Sequence, residues 1–377
     1  MLLTEAETRG TDLYAPGATI ALDRPDGDMR RDYGLDFTQV EVDLQLSVAS
    51  TFRFVIPQAF DPEQGDFKTP YGQPLMPLLK LGRRVFIRMG YGDIASQSPI
   101  FAGYITAIST GFSEGGSPEI EVSGTDACYL LTIQTLEHRV QQDAKEPMRE
   151  AVKEVTDRFG LGLKFSGTPP KNVTLDSNLQ TDLDFLRKLV ENFSTTQQKW
   201  EFYIRSKGMR DELVFHPRNA PDPVVATLVW GGDLISFKPE INLGNQVKKV
   251  EIHGWDEERK VPILGVAVAD KGNRGEPAGG DIQTAAFGQP SVLVLKLPVK
   301  SKEEADQRAE AALAQRKNDL LKGEGETFGM PELLPDTGIA LTGLGDQFSA
   351  SYYVTKTVHR FDTSGYRTRF SVERAVA

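Results

Sequence analysis

Tyr353-Val354-Thr355-Lys356-Thr357-Val358-His359-Arg360-Phe361 has an echo far upstream, in Tyr104-Ile105-Thr106-Ala107-Ile108-Ser109-Thr110-Gly111-Phe112. In both stretches a Tyr-aliphatic-Thr step precedes a phenylalanine eight residues after the tyrosine. Upstream, Gly82 leads an apolar strand to Gly90-Tyr91-Gly92-Asp93, and Gly338 leads a shorter one to Gly343-Leu344-Gly345-Asp346. Downstream, each copy has a polar glycine-containing turn and then an alternating strand, residues 119–123 and 368–372. Glycine permits the positive φ of a hairpin turn, and the following Asp tolerates turn geometry. The shared order and shared step favour an internal duplication. Its period of about 250 residues is far from the 20 to 50 of a solenoid.

Working outward, Val40-Glu41-Val42-Asp43-Leu44-Gln45-Leu46-Ser47-Val48 is apolar at every even position, the period of a half-buried strand. Residues 51–57 read as its partner, and further strands fall at 85–89, 101–108 and 120–122. The middle changes character. Pro147 opens a helix with a stripe of Met148, Val152, Val155 and Phe159, stopped by Gly160. A second begins near Thr181, capped with Asp184, and carries Leu183, Leu186, Val190 and Phe193. Strands at 200–205 and 212–216 follow. Strands resume at 226–230, 246–254 and 292–298. A helix capped by Ser301 and Glu304 runs to Gly323, and its thin face of Ala305, Ala309, Ala312, Leu313 and Leu320 suits lying flat on a sheet. The first 35 residues offer no comparable pattern. The expected fold is α+β, mainly β: two similar β-barrel, tube-like domains (1–131 and 226–377, the latter with a helix at 302–322) flanking an α/β middle region (132–225). The long connections 61–77 and 270–290 are expected to order only on assembly, with 270–280 the most loop-like.

Composition narrows the function classes. The 377 residues carry a net charge of −10 and no basic cluster, which argues against nucleic-acid recognition. No apolar run is long enough to span a membrane, and residues 1–11 lack the pattern of a signal peptide. The single cysteine, Cys128, excludes an internal disulfide and is expected buried in a strand over 120–131. His138, His216, His253 and His359 show no i, i+4 pair, so no zincin motif is present. No Gly-x-Ser-x-Gly elbow or phosphate-binding loop occurs, and Gly343-Leu344-Gly345 lacks a third glycine. Trp200, Trp230 and Trp255 read as core or interface residues before sugar platforms. No catalytic, cofactor or metal-binding set stands out, and the chain is read as non-enzymatic.

Gly329-Met330-Pro331-Glu332-Leu333, Gly338, Gly343-Leu344-Gly345, Tyr353-Val354-Thr355, His359, Phe361, Gly365-Tyr366 and Phe370-Ser371-Val372, in that order, resemble the C-terminal part of the phage late-control protein D family. Residues 82–92, 100–104, 122–126 and 182–189 fit the same resemblance. Ser351 and Tyr352 depart from it where a glycine is usual. That family is similar to the hubs of contractile phage baseplates and extracellular contractile injection systems, and to the hub portion of type VI secretion spike proteins. The resemblance implies a structural baseplate hub assembled in the cytoplasm as part of a phage tail or injection particle. It would be a homotrimer whose six tube-like domains adapt the hexameric inner tube to a trimeric spike, the spike being a separate chain, among other baseplate components. Strands bearing Val85, Ile87, Tyr104, Ile105, Thr106, Leu341, Tyr353, Val354 and Thr355 are the candidate assembly interface. The competing readings are a baseplate-associated cell-wall hydrolase and a carbohydrate-binding β protein.

Overall fold

The computed structural model describes residues 15–112, 118–138, 140, 145–170, 179–195, 198–218, 224–256, 259–269, 279–318 and 320–374. The first part contains β1 (Pro16–Leu22), β2 (Gln39–Gln45), β3 (Thr51–Ile56), β4 (Phe60–Asp61), β5 (Asp66–Phe67), β6 (Arg84–Tyr91), β7 (Ser98–Gly111) and β8 (Glu119–Thr125). The middle adds β9 (Thr135–Glu137), β10 (Gly162–Phe165), β11 (Leu179–Thr181), β12 (Trp200–Lys207) and β13 (Arg210–Pro217). Then come β14 (Val224–Val229), β15 (Leu234–Ile241), β16 (Lys249–Asp256), β17 (Val261–Val268) and β18 (Val292–Lys296). The chain closes with β19 (Leu321–Phe328), β20 (Thr337–Thr342), β21 (Ala350–Asp362) and β22 (Gly365–Arg374). The fold is mainly β, as the alternating stretches require.

Twelve strands form one sheet made of two like halves. The first half has the order β1-β6-β7-β8-β3-β2 and the second β14-β20-β21-β22-β19-β15. Each position has its counterpart in chain order, β7 with β21 among them. The duplicated Tyr-x-Thr step marks the same irregularity in both: β7 slips against β8 between Ile105 and Ala107, and β21 against β22 between Val354 and Lys356. Thr106 and Thr355 are therefore equivalent β-bulges, which bend a strand and increase its twist. Carried through these pairs, residues 119–123 correspond to 367–371, one residue earlier than sequence spacing alone suggests. One pairing differs, for β1 is antiparallel to β6 and β14 parallel to β20.

Neither half closes on itself. Among the described residues no pairing joins β1 to β2 or β14 to β15. The two closed barrels expected from the sequence are thus open six-stranded runs, because the edge of β2 that could close the first is taken by β21. Around the first bulge the backbones cross closely: a Cβ on Gly124 would lie 2.0 Å from the Tyr104 carbonyl oxygen, and one on Gly103 2.3 Å from that of Thr125.

The middle has its own core, centred on Trp200 between Phe165 and Phe215 at 5.5 and 5.6 Å. Its helices are those read from the sequence, Pro147–Arg158 and Asp182–Phe193, the second capped by Thr181 accepting from the Asp184 N–H at 3.1 Å. Cys128 is buried, but in a short 3-10 turn, Ala127–Thr132, rather than a strand. The buried Asp126 carboxylate turns the chain there by accepting from the Ser50 and Cys128 N–H groups.

A fourth cluster was not separable by sequence pattern. The sheet β17-β16-β18 packs under the helix Lys302–Asn318 through Ala305, Ala309 and Leu313. A Cβ on Gly265 would lie 2.2 Å from the Ala305 carbonyl carbon, so small residues on both sides allow the flat contact. This helix stops at Asn318, short of Gly323, which lies in β19 with the Phe237 ring where its Cβ would stand. Two expected loops contain structure within the single chain. Residues 61–77 hold β5 and the helix Leu75–Leu78, with Leu75 and Leu79 in the first core. The second loop includes the helix Gly279–Phe287, while 270–278 lie outside the described residues. In the unread N-terminal stretch, β1 edges the sheet and Met29 enters the core.

Candidate assembly site

The two halves of the large sheet meet because β21 serves two neighbours. Residues 350–354 pair with β20, and residues 356–361 pair with β2. The bulge at Thr355 separates the two segments and redirects the second. Register sets Val40 opposite Phe361, Val42 opposite His359 and Leu44 opposite Thr357. Val40 and Val42 are fully buried, and the Phe361 ring meets Phe37 edge-on at 6.5 Å. Lys356 pairs with Asp43 at 2.7 Å beside them. Tyr366 reaches into the core of the first half, and the Tyr91 hydroxyl donates to the Gly329 carbonyl at 3.0 Å. His359 is sealed in this joint. Its Nε2 donates to the Leu333 carbonyl at 3.1 Å, which leaves Nδ1 to accept from the Tyr366 hydroxyl at 2.8 Å. Burial pushes the imidazole down to about 4, so it is neutral and structural.

The duplicated tyrosines both grip the β12–β13 hairpin, at opposite ends. At the turn end, Arg84 forks onto Asp211 at 2.7 and 2.8 Å and donates to the Tyr104 hydroxyl at 2.7 Å. At the open end, the Tyr353 hydroxyl donates to Glu201 and lies 3.0 Å from Asp336. Arg218 sits 3.5 Å over the Tyr353 ring and bridges Glu201 and Glu373, each at 3.0 Å. Lys199 adds a second cation to Glu373 at 2.9 Å. Asp336 also takes the Tyr203 hydroxyl at 3.2 Å and faces His216 at 3.1 Å.

The electrostatics favour a charged, fully paired cluster. Burial pushes the Glu373 carboxyl up, but Lys199 and Arg218 outweigh it and hold the group below its usual range. Burial opposes the charges on Arg218 and His216 as well. Glu201 and Glu373 overcome it at Arg218, and Asp336 does so at His216, so both are raised. The Tyr353 hydroxyl is driven far up by burial and the neighbouring carboxylates, so it stays a donor. These groups neutralise one another and so fasten the α/β middle to both β halves. Among the described residues, no group of three or more His, Cys, Asp or Glu is arranged to hold a metal.

The candidate interface residues are mostly core. Val85, Ile87, Ile105, Leu341, Tyr353 and Val354 are buried, while Tyr104, Thr106 and Thr355 are half-buried. Their side chains are spent inside the chain, and what β7 and β21 can offer a partner is a backbone edge. In β21 that edge is taken by β2. In β7, among the described residues, only β8 pairs with the stretch 107–111. Sequence reasoning missed the clamp of Arg84, Asp211, Glu201, Arg218, Asp336 and Glu373, whose members lie far apart in the chain. The signal available for it was the pair of duplicated tyrosines. Trp200 is core, whereas Trp230 and Trp255 are 52% and 54% exposed.

A family model described as the Alg8 N-terminal domain matches residues 32–363. No curated protein matches the sequence. The fold is similar to that of a tail protein from Neisseria meningitidis MC58, at 13% identity and a TM-score of 0.68, covering 96% of this chain and 97% of that one. It is also similar to the 43 kDa tail protein of prophage MuSo2 from Shewanella oneidensis, at 14% identity and 0.65, covering 95% and 98%. An E. coli component of the type VI secretion system, with structural similarity to T4 bacteriophage tail proteins gp27 and gp5, aligns at 12% identity and 0.53, covering 95% and 76%. At these identities the likeness is one of fold.

Proposed function

This chain belongs to the Alg8 N-terminal domain family, and we propose that it is a structural baseplate hub of a phage tail or contractile injection system. In this reading it is a homotrimer that adapts a hexameric inner tube to a trimeric spike, assembled in the cytoplasm before it joins the particle. The observation that carries the proposal is the duplication: one chain contains two six-stranded halves with the same strand order and the same bulge. Three such chains present six equivalent units while keeping threefold symmetry, which is what a junction between sixfold and threefold partners requires. The clamp on β12–β13 fits the same role, because it holds the two halves of a chain in one orientation.

The test is the mass of the purified protein in solution, alone and mixed with its spike protein. Three copies, or a complex of three with three, is the expected result. A persistent monomer with no affinity for the spike protein refutes the hub. The clamp offers the hydrolase reading little support, since Asp211, Asp336, Glu201 and Glu373 are each paired with a cationic side chain or a histidine.

A further inference from the structure

The joint between the two halves is a template for a contact that a single chain leaves unmade. In that joint β2 lies along residues 356–361 of β21. By strand order the counterpart of β2 is β15, and the counterpart of that part of β21 is the segment 107–112. Both counterparts lack the neighbour their twins have. Among the described residues, β15 pairs with β19, apart from one bridge from Leu234 to Trp230, and residues 107–111 of β7 pair with β8 alone. We propose that β15 of one copy pairs antiparallel with the segment 107–112 of a second copy, repeating between chains the β2–β21 joint.

The duplication also sets the register. Ala107 stands opposite Ser123, as Lys356 stands opposite Ser371. Phe52 faces Gly124, as Gly323 faces Val372. Val42 faces Phe52, as Pro239 faces Gly323. Carrying the Val42–His359 pair across these equivalences places Pro239 opposite Thr110. Ile241 then falls opposite Ile108, Phe237 opposite Phe112, and Glu240 opposite Ser109. The hydrogen-bonding directions agree. The Asn242 N–H donates to the Leu320 carbonyl at 3.0 Å, towards β19, so alternation turns the backbone groups of Phe237, Pro239 and Ile241 outward. In β2, the Leu46 N–H donates to the Thr355 carbonyl at 3.2 Å, so the equivalent even positions face β21. Pro239 removes one donor from the ladder and leaves the others in place.

Side-chain exposure points the same way. Phe112 is 66% exposed and Ile241 46%, while Phe361, the twin of Phe112, is packed against the core of the opposite half. The occupant is a second copy of this chain because only β15 repeats the place of β2 in the duplicated order. The contact uses different surfaces on the two copies, so it runs head to tail, and the threefold symmetry of the proposed hub closes it into a ring.

This inference rests on the reading of the protein as an assembled hub, and the experiment separates the two. Glu240→Cys and Ser109→Cys are introduced together, the native Cys128 being buried. Directly opposed residues not joined by hydrogen bonds have Cα atoms about 4.5 Å apart, within the reach of a disulfide. Mild oxidation is expected to give a covalent ladder on non-reducing gels, with a 109–240 peptide link by mass spectrometry. A control pair, Glu240→Cys with Ala107→Cys, lies one pleat out of register and is expected to link at least tenfold more slowly. If solution mass shows assembly but 109–240 links no faster than the control, the strand pairing fails and the hub reading survives. A monomer that forms no link overturns both. A Phe112→Asp variant with unchanged circular dichroism is expected to weaken self-association at least tenfold, and wild-type association by it overturns the pairing.

Discussion

Replacing Arg218 with methionine removes the guanidinium from the centre of the clamp and keeps an apolar stem of similar length. Glu201 and Glu373, with side chains 4% and 13% exposed, lose their shared cation. Lys199 remains, at 3.6 Å from Glu201 and 2.9 Å from Glu373, but its side chain is 27% exposed and it cannot lie over the Tyr353 ring as Arg218 does. Taking one partner from a buried ion pair costs about 3–5 kcal/mol, and the surviving lysine sets the expected loss near the lower limit. With a urea slope of roughly 3 kcal/mol per molar, the midpoint falls by about 1 M. Urea unfolding followed by far-UV circular dichroism and tryptophan fluorescence measures this. The deficit also depends on pH. The Glu373 carboxyl is held below its usual range, so the stability it lends is present above that range and lost as pH falls through it. The gap between wild type and variant is therefore widest near neutrality and narrows in acid. Lys153→Met, which breaks an exposed pair with Asp157, is the control and costs under about 1 kcal/mol. An Arg218→Met protein as stable as wild type at pH 7 refutes the argument, since it means the buried charges contribute nothing net to holding the halves.

Three further outcomes are expected. His359, pushed down to about 4 by burial, lends stability that is present above pH 6.5 and lost as pH falls towards 4, about 3 kcal/mol in all. Asp126, pushed up to about 7 by burial, acts in the opposite sense over the same range, so removing the His359 contribution in His359→Gln makes the urea midpoint fall more steeply with rising pH than in wild type. Gly124→Ala forces a Cβ to within 2.0 Å of the Tyr104 carbonyl oxygen. Overpacking of that kind costs at least about 3 kcal/mol and is read as a lowered urea midpoint. Gly265→Ala presses on the Ala305 backbone, and hydrogen exchange is expected to accelerate in β16, β17 and β18 while the β12–β13 hairpin keeps its protection.

Local signals carried well where one residue controls the backbone. Pro147, Thr181 with Asp184, and Gly160 at φ 65° set the helix limits from sequence alone. The Tyr-x-Thr step survived because a bulge is a local event with the same geometry in both copies. What was not legible depends on pairing at a distance. β15 alternates weakly in sequence, and it carries Pro239, which is tolerated because that edge lacks a ladder partner among the described residues. Cys128 read as strand because the apolar run 127–131 gives no sign of the Asp126 cap that turns it. The alanine face of the third long helix predicted a flat contact, but not that β17 and Gly265 would provide it. The clamp was hidden most deeply, since the Arg84–Asp211 fork joins residues 127 apart in sequence.

The two copies also diverge at the strands that the proposed ring would use differently. β2 meets its partner within the same chain, so its edge is covered once the chain folds, and its buried face is simply Val40 and Val42. β15 must wait in solvent with an open edge. A long, flat, apolar edge strand pairs indiscriminately, and natural edges are blunted by proline, charge and bulges. β15 has all three: Pro239 withdraws a donor, Lys238 and Glu240 flank it, and register slips between Leu234 and Ser236. These features weaken any single β15 contact, including the intended one. The loss is offset only if several joints form together, as when head-to-tail copies close and no edge is left over. On the proposed pairing, then, intermediates are weakly held and the closed ring is the stable species. Solution mass measured across a dilution series is expected to show monomer and full ring with little between, and a smooth progression through a populated dimer contradicts the argument.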